Sequence, residues 1–80
     1  MSMRQQAYRR MLIKVDSFRL VGTHSFISSL TIVETTGFER VVVEIPVTHL
    51  LFDCEDRALE ETLADGRLLV DGLGKATKPQ

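Results

Sequence analysis

The sequence predicts a small α+β domain, and three observations carry that expectation. Residues 38–47, FERVVVEIPV, place Val41, Val43, Ile45 and Val47 on one parity and Arg40 and Glu44 on the other. That is the period-2 pattern of a strand with one buried face. Residues 55–64 are rich in Ala, Leu and Glu, a composition that favours helix. Gly22, Gly37 and Gly66 fall between the patterned segments, where turns and helix ends are expected.

Taken in order, residues 2–12 read as a short N-terminal helix. Ser2 and Gln5 form a capping-box pattern, and Met3, Ala7 and Met11 share a helical face. Residues 11–21 then alternate as a strand through Ile13 and Val15. The apolar parity flips to Phe18 and Leu20, which implies a bulge near Asp16 and Ser17. A second strand is expected over 24–35, with another interruption at Ser28 and Ser29. Gly37 suits the left-handed position of the loop leading to the third strand, 38–47. Val42 makes that strand apolar on both faces, as expected of a central or doubly covered one. The three strands form an antiparallel β-meander.

A second helix is expected to follow, capped by Asp53 with Asp56 at its third position and ended by Gly66. The rival reading is a hairpin at Asp65–Gly66. Residues 67–73 read as a final strand. The expected organisation is one domain over 1–73 and a disordered polar tail over 74–80.

Eighty residues make a single core feasible but marginal, and self-association is a common remedy. No apolar run approaches ~18 residues, and no secretory signal is recognised, so the reading is soluble and cytoplasmic with no membrane contact. The single cysteine, Cys54, has no internal disulfide partner, which suits a reducing compartment.

The net charge is −1, which disfavours strong non-specific attraction to nucleic acid. Its distribution is uneven. Residues 1–20 set Arg4, Arg9, Arg10, Lys14 and Arg19 against Asp16 alone, a balance of +4. Residues 53–65 set six carboxylates against Arg57 alone, a balance of −5. These are either two solvated faces or two complementary ones, within a chain or between copies.

The chemical motifs are sparse. His49, Asp53 and Cys54 are metal-ligand types, but a structural zinc site wants four ligands at recognisable spacing. Cys54 sits among carboxylates, which repel the thiolate a nucleophile needs. Glu55, Asp56, Glu60 and Glu61 read as a solvated helical face rather than an acid–base pair. The run Gly72-Leu73-Gly74-Lys75 lacks the spacing and the Ser/Thr of a phosphate loop.

No cofactor, metal or catalytic residue is therefore expected. The functional expectation is a non-enzymatic protein-interaction module that self-associates, as a dimer, or binds a protein partner. Its contact would draw on Ile27, Thr31, Val33, Phe38 and Val42. The alternative is a small nucleic-acid-binding domain using Arg4, Arg9, Arg10, Lys14 and Arg19.

Overall fold

The computed structural model describes residues 2–48 and 50–76, with side chains as far as Leu73. The chain runs β1 (Ser2–Tyr8), β2 (Met11–Arg19), β3 (Phe26–Glu34), β4 (Arg40–Ile45) and α1 (Glu55–Ala76). The strands form one antiparallel sheet in the order β1-β2-β3-β4. The helix lies across one face, over β1, β2 and β3, and does not reach β4. The architecture is α+β as expected, but the layout of its elements differs.

The expected N-terminal helix is instead β1, paired with β2 along its whole length from Ser2↔Ser17 to Tyr8↔Met11. Its half-buried positions are Ser2, Arg4, Gln6 and Tyr8, while Met3 and Ala7 are exposed. The inward face of this strand is polar, so its period-2 pattern does not show in hydrophobicity. The turn to β2 is equally concealed. Arg9 and Arg10 occupy φ of 51° and 66°, the left-handed pair of a two-residue hairpin that Asn-Gly usually fills.

The expected second helix and final strand are one helix of 22 residues. Its N-cap is Cys54, one residue after the expected Asp53. The Cys54 carbonyl accepts the Ala58 N–H at 3.1 Å, and its Sγ accepts the Arg57 N–H at 3.4 Å. Helix α1 passes straight through Gly66 and ends at Ala76, inside the expected tail; residues 77–80 lie outside the described residues.

The valine-rich strand expected at the centre is the edge strand β4. Its apolar run has another cause. Ile32 pairs with Val43 and Val33 with Val41, so Val42 is the extra residue of a bulge. The bulges expected near Ser17 and Ser28 are absent, for β2 and β3 pair without interruption. Ser17 and Ser28 sit on the helix face, fully buried, where an apolar residue would have kept the parity visible. Gly22 and Gly37 take φ of 82° and 81° in the two remaining turns, as expected.

The core is Ile13, Val15, Leu30 and Ile32 from the central strands against Leu59, Leu63 and Val70 from the helix. Beyond β4 the chain continues antiparallel to β3 toward the start of that strand. Thr48 N–H donates to the Ser28 carbonyl, and Phe26 and Phe52 exchange both backbone hydrogen bonds, each at 2.9 Å.

Gly66 sets the distance between helix and sheet. A Cβ there would lie 2.7 Å from Ile13 Cγ2 and 3.2 Å from Leu30 Cδ1. The Ile13 methyl belongs to a stiff β-branched side chain in a buried strand and has little room to yield. Gly66→Ala should therefore destabilise the protein. Overpacking costs about 1–3 kcal/mol, against about 1 kcal/mol of helix propensity gained. Urea denaturation reads the outcome; a stabilised variant would place the helix further from the sheet than the structure does.

Candidate functional site

The two flanks of α1 differ in chemistry. Toward β1 the flank is polar and stitched to the strand. Ser2 donates to Glu55. Arg4 reaches Asp56 at 3.3 Å and Glu60 at 3.9 Å. Arg67 donates to Gln6 at 2.6 Å. The Tyr8 hydroxyl lies 3.2 Å from both oxygens of Asp71, whose carboxylate also pairs with Arg9 at 2.9 Å. The Arg9 guanidinium lies over the Tyr8 ring, 5.5 Å from its centroid. Tyr8 first, and Asp71 after it, push the already high pKa of Arg9 further up. Arg57, on the outer helix surface, is raised likewise by Glu61 first and then Asp53. Of the unevenly distributed charges, Arg4 meets the acidic stretch 53–65 within the chain, while Arg9 pairs with Asp71 beyond it.

The basic residues singled out in the sequence are dispersed. Arg4 and Arg9 are held by helix carboxylates. Arg10 is exposed in the β1–β2 turn, its carbonyl accepting from Thr35. Lys14 stands on the sheet face away from the helix, between Gln5 and Thr31. Arg19 ends β2 and donates to the Thr23 carbonyl at 3.1 Å. Of the expected contact residues, Ile27 and Thr31 lie on that same open face of β3, by alternation with buried Ser28, Leu30 and Ile32, while Val33, on the same parity, is itself buried at 4% exposure. Val42 packs against the core, and Phe38 is 94% exposed in the β3–β4 loop.

His49 lies outside the described residues. Asp53 pairs with Arg57 and Cys54 caps the helix. Among the described residues no three His, Cys, Asp or Glu side chains are placed to hold a metal ion, and no helix is long and apolar enough to cross a membrane.

The other flank of α1 is apolar and has no strand beneath it. Asp65, Leu68 and Leu69 face Ile45, Thr48 and Leu50 across an open groove of about 400 Å³, floored by Leu30 and Thr62. Leu68 is 69% exposed and Leu50 50%. The floor is not wholly apolar. Thr62 Oγ1 and Ser28 Oγ share a hydrogen bond of 2.6 Å, and Ser28 Oγ lies 3.1 Å from Thr48 Oγ1. Ser17 Oγ, on the residue opposite Ser28, is buried without a partner among the described residues. Sequence reasoning missed this groove. It spread Leu68 and Leu69 over two faces of a strand, whereas at 3.6 residues per turn they leave the Leu59, Leu63 and Val70 stripe for one side of a helix.

No protein-family model matches the chain, and no curated protein or solved structure shows significant similarity to it.

The hydroxyl cluster makes a stability prediction. Thr62→Val keeps the side-chain shape and leaves Ser28 with Thr48 alone. It should cost about 0.5–1.5 kcal/mol, the net worth of one hydrogen bond. Arg4→Ala, which breaks only partly exposed ion pairs, should cost less than about 1 kcal/mol. Chemical denaturation of the two variants side by side checks both the values and their order.

Proposed function

We propose that this chain is a non-enzymatic protein-interaction module that takes an apolar element of a partner protein into the groove between α1 and β4. The observation that carries this reading is the groove itself: a cavity of about 400 Å³ flanked by leucines that nothing among the described residues covers. Singly exposed leucines are ordinary; here Leu50, Leu68 and Leu69 converge on one groove, and apolar grooves rimmed by polar residues are where partners and ligands dock. The groove lies alongside a helix, the geometry in which an amphipathic helix docks its apolar face. Asp65 is the ionisable side chain on its described lining, so a basic residue beside the partner's apolar stripe would complement it.

The chemistry of the lining speaks for binding rather than reaction. Thr48 and Thr62 are tied to Ser28, and the leucines contribute surface without proton transfer. On the β1 flank, Arg4 and Arg9 are engaged by carboxylates of the same chain, which blunts their attraction for phosphates.

Amide NMR tests the reading. A leucine-rich amphipathic helical peptide bearing lysines should shift the resonances of Leu50, Asp65 and Leu69 and leave those of Gln5 and Lys14 in place. The same groove amides should move if copies of the chain fill one another's grooves as concentration rises. Groove resonances unmoved by both peptide and concentration would overturn the proposal.

A further inference from the structure

We infer that the occupant of the groove is a second copy of this chain, seated across a two-fold axis that sets the two α1 helices antiparallel at Leu68 and Leu69. The inference rests on the reading of the groove as a docking site and names its partner. A two-fold contact uses the same patch on both copies, so the patch must complement itself. This one has both halves of the fit. Leu68, 69% exposed, stands up as a ridge, and the trough between α1 and the residues Ile45, Thr48 and Leu50 lies beside it. The ridge of each copy enters the trough of the other.

Gly72 supports the same axis from an independent direction. It is exposed on the Leu68–Leu69 side of the helix, and a Cβ there would touch nothing within 4 Å. Glycine in an exposed helix is unfavourable by about 1 kcal/mol relative to alanine, and no contact among the described residues requires it. With Leu68 opposite the partner's Leu69, Asp65 of each copy faces the partner's Gly72. The missing side chain lets the helices approach closely, as Gly66 does against the sheet. The two Asp65 carboxylates then lie apart by seven residues of rise, about 10 Å, roughly a Debye length at physiological salt. The helix carboxylates engaged by Arg4 and Arg9 lie on the far flank, away from the contact.

The area is sufficient. Leu50, Leu68 and Leu69, which line the groove, are 50%, 69% and 38% exposed, and Leu51, next to Leu50 in the chain but outside the lining, is 65% exposed. Together they present on the order of 400 Å² of apolar surface per copy. Two copies bury on the order of 800 Å² from leucine alone, and Ile45, Val47 and the polar rim bring the total toward the ~1,200 Å² of a small specific interface.

Light scattering and sedimentation of the full chain should give twice the 9.0 kDa chain mass. Leu68→Lys and Gly72→Glu should each return the mass to that of one chain with the circular dichroism spectrum unchanged. Both sites are exposed, and glutamate favours helix over glycine, so folding does not depend on either. Val41→Lys, on the open sheet face, should leave the doubled mass intact. A single-chain mass throughout the micromolar range, or a doubled mass that survives both helix substitutions, overturns the inference. In either case a lysine-bearing amphipathic peptide that still shifts the groove amides preserves the docking function and removes only the second copy as its occupant. A peptide that shifts nothing removes both.

Discussion

Everything in this fold depends on how closely α1 approaches the two central strands. Along the helix line that meets the sheet, positions 58, 62 and 66 are Ala, Thr and Gly, small residues spaced by four and therefore stacked on one face. Beneath them lie Ser17, Ser28, Ile13 and Leu30, all buried. At Gly66 the approach leaves no room for a Cβ. The same closeness brings Thr62 Oγ1 within 2.6 Å of Ser28 Oγ, so a hydroxyl buried in the sheet is satisfied by the helix that buries it. Small residues on both surfaces fix the contact, and the larger core residues Leu59, Leu63 and Val70 fill the space on either side.

That contact also fixes what the helix fails to cover. A helix with its side chains is about 10–12 Å across, whereas four strands at ~4.8 Å spacing span about 14 Å between their outer axes. One helix covers three strands at most. Here it takes β1, β2 and β3 and leaves β4, so the inward side chains Val43 and Ile45 are only half-buried. A groove beside β4 is therefore a consequence of one helix on four strands, and its leucine lining is the feature that the sequence adds.

The parts of the fold legible in the sequence are those whose polarity follows burial. β2, β3 and β4 show their period, and Gly22 and Gly37 mark their turns. β1 reads as helix in the sequence because its inward face is Ser2, Arg4, Gln6 and Tyr8, whose partners on α1 are carboxylates and Arg67 rather than apolar residues. A turn made of two arginines removed the remaining signal. Ser17 and Ser28 imitated bulges because a buried serine breaks an apolar parity as an inserted residue does, while the true bulge at Val42 passed as a doubly covered strand. Gly66 looks like a helix end in the sequence, although its lack of a side chain serves packing. The long helix was thereby split, and with it went the juxtaposition of Leu68, Leu69 and Leu50. The groove depends on contacts between residues far apart in sequence, and local pattern carries little information about those.

The polar flank explains why the helix lies where it does. Its ion pairs are largely solvent-exposed and individually weak, so they add little to overall stability. They are nevertheless one-sided: Glu55, Asp56, Glu60, Arg67 and Asp71 all meet β1. A helix displaced toward β4 would bury Leu68 and Leu69 but would break every one of these contacts. It would also lift Gly66 off Ile13 and strand Ser28 without Thr62. The leucine burial gained would be worth roughly 2–3 kcal/mol for each side chain fully covered. Against it stand a lost close-packed seam, with cavity terms of similar size, and a buried hydroxyl with one partner fewer, about 1–3 kcal/mol if left unsatisfied. The seam holds the helix over the central strands, the β1 contacts give that position its direction, and the leucines on the opposite flank remain outside, available to another surface.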